Sequence, residues 1–330
     1  MNIIKKIGLT ALAGSLVATS VFAGTMDVTG SAGISLGSQE GSDQGNGFSS
    51  GDSINFAGSS ELDNGWTITA KMELDGGAAA GGNQDTTAQV FDDRSIAIDM
   101  GDTGTLTFHG HGASSALGAV DDVMPTAYGE TWDVLGASTQ VGAVAESNAI
   151  GSGGSDNMWV YNNSALMDGT SVTISYTPSG AAEAESSVDI ALAYTGYEGL
   201  TVGYAVGEEN AVAGTGSFDV DTMYAKYAYG PVTVGYQVSE IEGNTATNTD
   251  EATYYGVTYA ITDSFSVGYG ESSIDLGSST TDQETSNLSF SYTMGGMTLA
   301  GAFIDQENSG GSTAAVNDRK GYEFDLAFAF

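Results

Sequence analysis

The sequence has 330 residues, of which 42 are acidic, seven are Lys or Arg, two are His and none is Cys. A formal net charge of −35 excludes a nucleic-acid or anionic-lipid surface on sign alone. The lack of cysteine excludes disulfides, thiol nucleophiles and zinc–thiolate sites. Hydrophobic residues make up 41% of the chain, with 16 Tyr and 12 Phe, which argues against a disordered acidic polymer.

Residues 1–23 read as a secretory signal peptide: Lys5 and Lys6, an apolar stretch from Ile7 to Phe22, and the small-residue site Val21-Phe22-Ala23 before Gly24. The folded unit expected after cleavage is 24–330, in which Lys71, Arg94, Lys226, Arg319 and Lys320 are the only basic residues. Beyond the signal no run of 18 apolar residues occurs, so a transmembrane helix is not expected. Three prolines in the whole chain suit a molecule that commits its N–H groups to β-ladders.

From Thr25 onward, apolar residues alternate with small or polar ones, the period-2 signature of a two-faced strand. Val172, Ile174 and Tyr176 alternate with Ser171, Thr173 and Ser175, and Val232, Val234, Tyr236 and Val238 with Thr233, Gly235 and Gln237. The spacing predicts sixteen strands near 25–37, 51–62, 65–75, 93–101, 104–110, 157–164, 170–177, 187–195, 200–208, 219–229, 232–241, 253–261, 265–273, 285–293, 297–305 and 320–330. An eighteen-strand count follows instead if the longest loop hides a hairpin.

The connections alternate in kind. Tight ones, such as Asp63-Asn64-Gly65, Asp102-Thr103-Gly104, Ala165 to Gly169 and Gly295-Gly296, carry residues suited to hairpins. The others are longer, polar and rich in Gly, Ser, Asn and Asp. Aromatic residues gather at the tight-turn ends: Trp66, Tyr194, Tyr227, Tyr229, Tyr259, Phe265 and Tyr292. Short turns on one rim, long loops on the other and an aromatic girdle predict a transmembrane antiparallel β-barrel with its apolar face toward lipid. A secreted acidic β-sandwich or adhesin would also alternate, but would stay soluble without detergent.

The final strand, YEFDLAFAF, sets Tyr322, Phe324, Leu326, Phe328 and Phe330 on one face. This ending resembles that of Gram-negative outer-membrane proteins, where alternate aromatics and a terminal Phe look like the address read by the barrel-assembly machinery. The longest connection, about 111–156, contains the segment GTLTFHGHGASSALGAVDDVMPTAYGETWD at its root. That segment is similar to the third loop of general porins, the alphaproteobacterial type in particular. The resemblance implies a 16-stranded barrel in the cell outer membrane with the long third loop folded into the lumen. It also implies passive diffusion of small hydrophilic solutes and ions, contact with outer-membrane lipid, and a homotrimer.

An inward loop would bring Asp121, Asp122, Glu130 and Asp133 to the narrowest point of the pore. Fixed charge of one sign in a confined channel concentrates counter-ions, so a cation preference is expected. The same carboxylates could instead stiffen the loop by binding calcium. Strand parity places Lys71, Glu73, Asp99, His109 and Lys226 in the lumen, with Lys71 and Lys226 the only basic residues there and Asp27, Glu61, Asp75, Asp189, Glu323 and Asp325 the further acids. The basic cluster of the family's opposite wall is missing. A substrate-selective porin would need an aromatic slide or basic ladder, and neither is visible. His109 and His111 share a strand face as a metal pair does, but no third ligand follows at a diagnostic spacing. With both histidines at one loop root, an enzyme is not expected.

Overall fold

The computed structural model describes residues 24–39, 45–75, 91, 93–121, 123–129, 131, 156–178, 186–210, 217–243, 249–314 and 317–330. The expected signal segment 1–23 lies outside the described residues.

Sixteen strands form one closed antiparallel ring, β1 pairing with both β2 and β16. They are β1 Thr25–Gln39, β2 Gly45–Glu61, β3 Thr67–Asp75, β4 Arg94–Asp99, β5 Thr105–His111, β6 Met158–Met167, β7 Thr170–Thr177 and β8 Ser187–Tyr197. The second half comprises β9 Leu200–Asn210, β10 Ser217–Tyr229, β11 Val232–Glu242, β12 Asp250–Thr262, β13 Phe265–Leu276, β14 Gln283–Met294, β15 Met297–Glu307 and β16 Arg319–Ala329. Closure at sixteen removes the eighteen-strand and two-sheet alternatives. It also answers the demand of a lipid environment, where every backbone N–H and C=O must find a partner within the protein.

Predicted strands and observed ones agree in number and order, and differ mainly at loop-side ends. The β1–β2 ladder continues to Gln39↔Gly45, so the Gly- and Ser-rich residues before Gly51 are strand rather than loop. Strand β6 runs on to Met167 through a register shift, which shrinks the Ala165–Gly169 connection to Asp168-Gly169. Tight turns depend on glycine where the backbone turns left-handed, as at Gly65 (φ 82°) and Gly199 (φ 76°).

Parity holds around the ring. Val188, Ile190, Leu192 and Tyr194 are exposed on the outside, while Asp189 and Ala191 are buried inside. One assignment needs correction. Arg319 pairs with the lumen-facing Gln306, so it shares the lumenal parity with Lys71 and Lys226. Strand β16 starts one residue earlier than its hydropathy marks, because an arginine gives no apolar signal.

Candidate functional site: the lumen and its inward loop

The connection between β5 and β6 enters the barrel. The described loop residues 113–121, 123–129 and 131 lie along the inner wall from β7 round to β16, with a 3-10 turn at Gly118–Val120. Its apolar side drives this. Ala116, Leu117, Val120 and Met124 are buried in one cluster with Ala191, Ala205, Val220, Tyr254 and Ile274 of the lumenal wall. Full burial of a side chain such as Leu117 is worth roughly 1.5–3 kcal/mol over leaving it in water. The wall partners break the alternation that makes the rest of the lumen polar. Val220, Tyr224, Tyr254, Ile274 and Leu276 are bulky residues of the inner face that sequence reading missed. Their signal was present as apolar residues on both parities of β10, β12 and β13.

Polar tethers fix the loop's height. Ser175 Oγ accepts from the Ala116 N–H at 2.9 Å, and Gln237 Nε2 donates to the Val120 carbonyl at 3.0 Å. Further along, Ser289 Oγ accepts from the Ala127 N–H at 3.2 Å, and Asn287 Nδ2 donates to the Gly129 carbonyl at 2.8 Å. At the far end the Tyr128 hydroxyl donates to the Asp325 carboxylate.

Between the tethers the wall is missing side chains. A Cβ on Gly235 would lie 2.4 Å from Pro125 Cδ, one on Gly256 2.5 Å from the Pro125 carbonyl oxygen, and one on Gly268 2.7 Å from the Ala127 nitrogen. Gly235 and Gly256 face each other across β11 and β12, and Gly268 on β13 lies diagonally beyond, opposite Thr258, so together they form a shallow track in which the loop sits flush against the wall.

The predicted site residues fall as follows. Asp121 is on the inward loop, half-buried next to the 3-10 turn. Asp122, Glu130 and Asp133 lie outside the described residues, so their place at the narrowing, and the calcium reading with them, stay expectations. Lys71, Glu73 and His109 lie on the wall formed by β3 to β5, in the rows Ala57–Lys71–Ser95–His109 and Asn55–Glu73. Asn55 Nδ2 donates to Glu73 Oε1 at 3.1 Å. Asp99 shares the lumenal parity but sits at the tight-turn end, where its carboxylate accepts from the Gly101 N–H at 2.9 Å. Lys226 is on β10 beneath the loop, its ammonium 5.9 Å from the Tyr224 ring centre. Asp189 is lumenal in parity yet buried, accepting from the Ser175 hydroxyl at 2.9 Å.

His111 lies at the loop root, its Nε2 3.5 Å from Asp156 Oδ1 and its Nδ1 3.9 Å from Asp93 Oδ1. No group of three or more His, Asp or Glu side chains converges as a metal site among the described residues.

A closed, lipid-facing ring with a loop seated across its interior defines a transmembrane β-barrel channel. The comparisons carry the assignment further. The sequence profile of the Gram-negative porin family matches residues 8–327, and the chain belongs to that family, which places it in the outer membrane. Among solved structures, a multiple mutant of the Rhodobacter blastica porin aligns with a TM-score of 0.68 at 15% identity, covering 93% of this chain and 100% of the other. An outer membrane protein of Vibrio cholerae carrying a loop deletion aligns with a TM-score of 0.65 at 15% identity, over the same shares. No curated protein matches the sequence.

Proposed function

We propose that this porin is a cation-preferring channel for passive diffusion of small hydrophilic solutes. The carrying observation is the imbalance of charge on the wall the loop leaves open. On β1–β5 the lumenal parity holds Asp27, Glu61, Glu73, Asp75 and Asp99 against Lys71, and β16, which the loop reaches at Tyr128, adds Glu323 and Asp325 against Arg319. Asp121 adds a carboxylate from the loop side. Such an excess of one sign in a narrow aqueous passage attracts cations and repels anions.

Reversal potential in a planar bilayer under a potassium chloride gradient tests this reading. Cation preference is expected, and Asp121→Asn should weaken it. Anion preference would overturn it.

The outer face supports self-association as part of the same reading. The first tyrosine of the sequence is Tyr128, so β1–β5 carry none, whereas Tyr194, Tyr204, Tyr227, Tyr236, Tyr255, Tyr259, Tyr269 and Tyr292 stand outward on β8 to β14. Interfacial tyrosines mark a lipid-facing surface. The sector without them exposes Met26, Val28, Ile34, Phe48, Ile54 and Ile96, and it faces other copies in a homotrimer. Export through residues 1–23 and delivery by the barrel-assembly machinery complete the proposal.

A further inference from the structure

Beneath the loop, on its tight-turn side, lies a cavity of about 590 Å³. Its roof is the loop segment Val123 to Thr126, and its wall includes Thr201 on β9, Lys226 on β10, Thr233 on β11 and Thr258 on β12. The volume falls in the range of small-molecule pockets, roughly 300–1,000 Å³. Gly199 of the β8–β9 turn also lines it, so it opens toward the periplasmic rim, the side on which outer-membrane barrels carry short turns.

The chemistry of this cavity is unlike that of the rest of the lumen. Lys226 makes no ion pair with any carboxylate among the described residues. Its cross-strand neighbours are Thr201 and Gly235, and its neighbours on the same face of β10 are Tyr224 and Ala228. It therefore does not offset an adjacent acid. The lumenal-parity acids Asp189 on β8 and Asp250 on β12 are each two strands away, Asp189 accepting from the Ser175 hydroxyl and Asp250 from the Gly277 N–H. The hydroxyls of Thr201, Thr233 and Thr258 make no hydrogen bond among the described residues. An unpaired ammonium, three unengaged hydroxyls and an apolar roof of Val123 and Pro125 thus converge on one space.

Resting on the channel reading above, we propose that this cavity is a weak binding subsite for a hydroxylated monocarboxylate, a sugar acid by chemical class. The carboxylate meets Lys226, the solute hydroxyls meet the threonines, and its C–H face lies against Val123 and Pro125. One ammonium balances one negative charge. A dianion carries a second charge that the acidic lumen opposes. Retention stays weak because a solute that is to cross must also leave. The subsite gives such a solute a resting point past a constriction whose charge disfavours it.

The test is block of potassium current through the full-length channel in a planar bilayer at low salt, with gluconate as the probe. Gluconate should reduce current in a saturable way, more strongly from the tight-turn side, whereas glucose, acetate and sulfate should do so far less. Lys226→Gln should weaken the gluconate effect about tenfold, the scale of one charged hydrogen bond, and Lys226→Arg should keep most of it. If Lys226→Gln does not fold, judged by the heat-dependent gel mobility of a closed barrel, Thr201→Val with Thr258→Val must weaken gluconate block several-fold. Equal block by acetate or sulfate, or gluconate block unchanged in these variants, overturns the subsite. A channel that conducts with cation preference but ignores gluconate overturns the subsite alone, and absence of any conductance sinks the channel reading instead.

Discussion

Gly256 faces Gly235 across the β11–β12 ladder, and Pro125 rests on both. At such a position the smallest addition is a methyl group, and the space for it is already filled by loop backbone. Gly256→Ala should lift the loop toward the channel axis and lower single-channel conductance, and Gly256→Val should do so further. Neither substitution touches the outer face, so barrel closure should persist. Unchanged conductance in both would mean that the loop yields sideways and that the track does not gauge the pore. Asp325 acts at the same scale from β16, where its carboxylate holds the Tyr128 hydroxyl. Tyr128→Phe removes that donor and should increase open-channel current noise.

At the scale of the element, the inward loop is a packed structure rather than a dangling one. Leu117 is 0% exposed, so Leu117→Asp would place a charge in an apolar cluster and unseat the loop. Conductance and noise should both rise, with the barrel still migrating as a folded species. Gln237→Leu together with Asn287→Leu removes two buried tethers, each worth about 1 kcal/mol, and should produce a smaller change in the same direction. Much of this element was visible in the sequence as length and composition. Its inward direction came from a resemblance, not from periodicity. The physical cause lies in residues such as Val220, Tyr254 and Ile274, which look like lapses in an alternating pattern until the loop covers them. Alternation itself was legible because it repeats over sixteen strands. Arg319 escaped because one polar residue at a strand end carries no phase.

For the whole molecule, charge dominates. A chain with a formal net charge of −35 turns its outer face to lipid and keeps much of its lumenal wall acidic, so the cation preference proposed above should depend on ionic strength. The screening length falls from about 10 Å at 0.1 M to about 3 Å at 1 M salt. Cation preference measured as reversal potential should therefore shrink steadily across that range. A preference independent of salt would locate selectivity in close coordination at a few groups rather than in the field of the wall.

The seating of the loop has one further consequence. Apart from the Tyr128–Asp325 bond at its far end, its height is set by neutral amides and hydroxyls at Gln237, Asn287, Ser289 and Ser175, and by side chains missing at Gly235, Gly256 and Gly268. Among the described residues, much of the lumenal charge sits elsewhere, on β1–β5. On the channel reading proposed above, what size passes and what charge passes are then largely separate heritable traits. A descendant of this protein can exchange one set of permeants for another by substitutions on β1–β5 alone, without relearning how to hold its gauge.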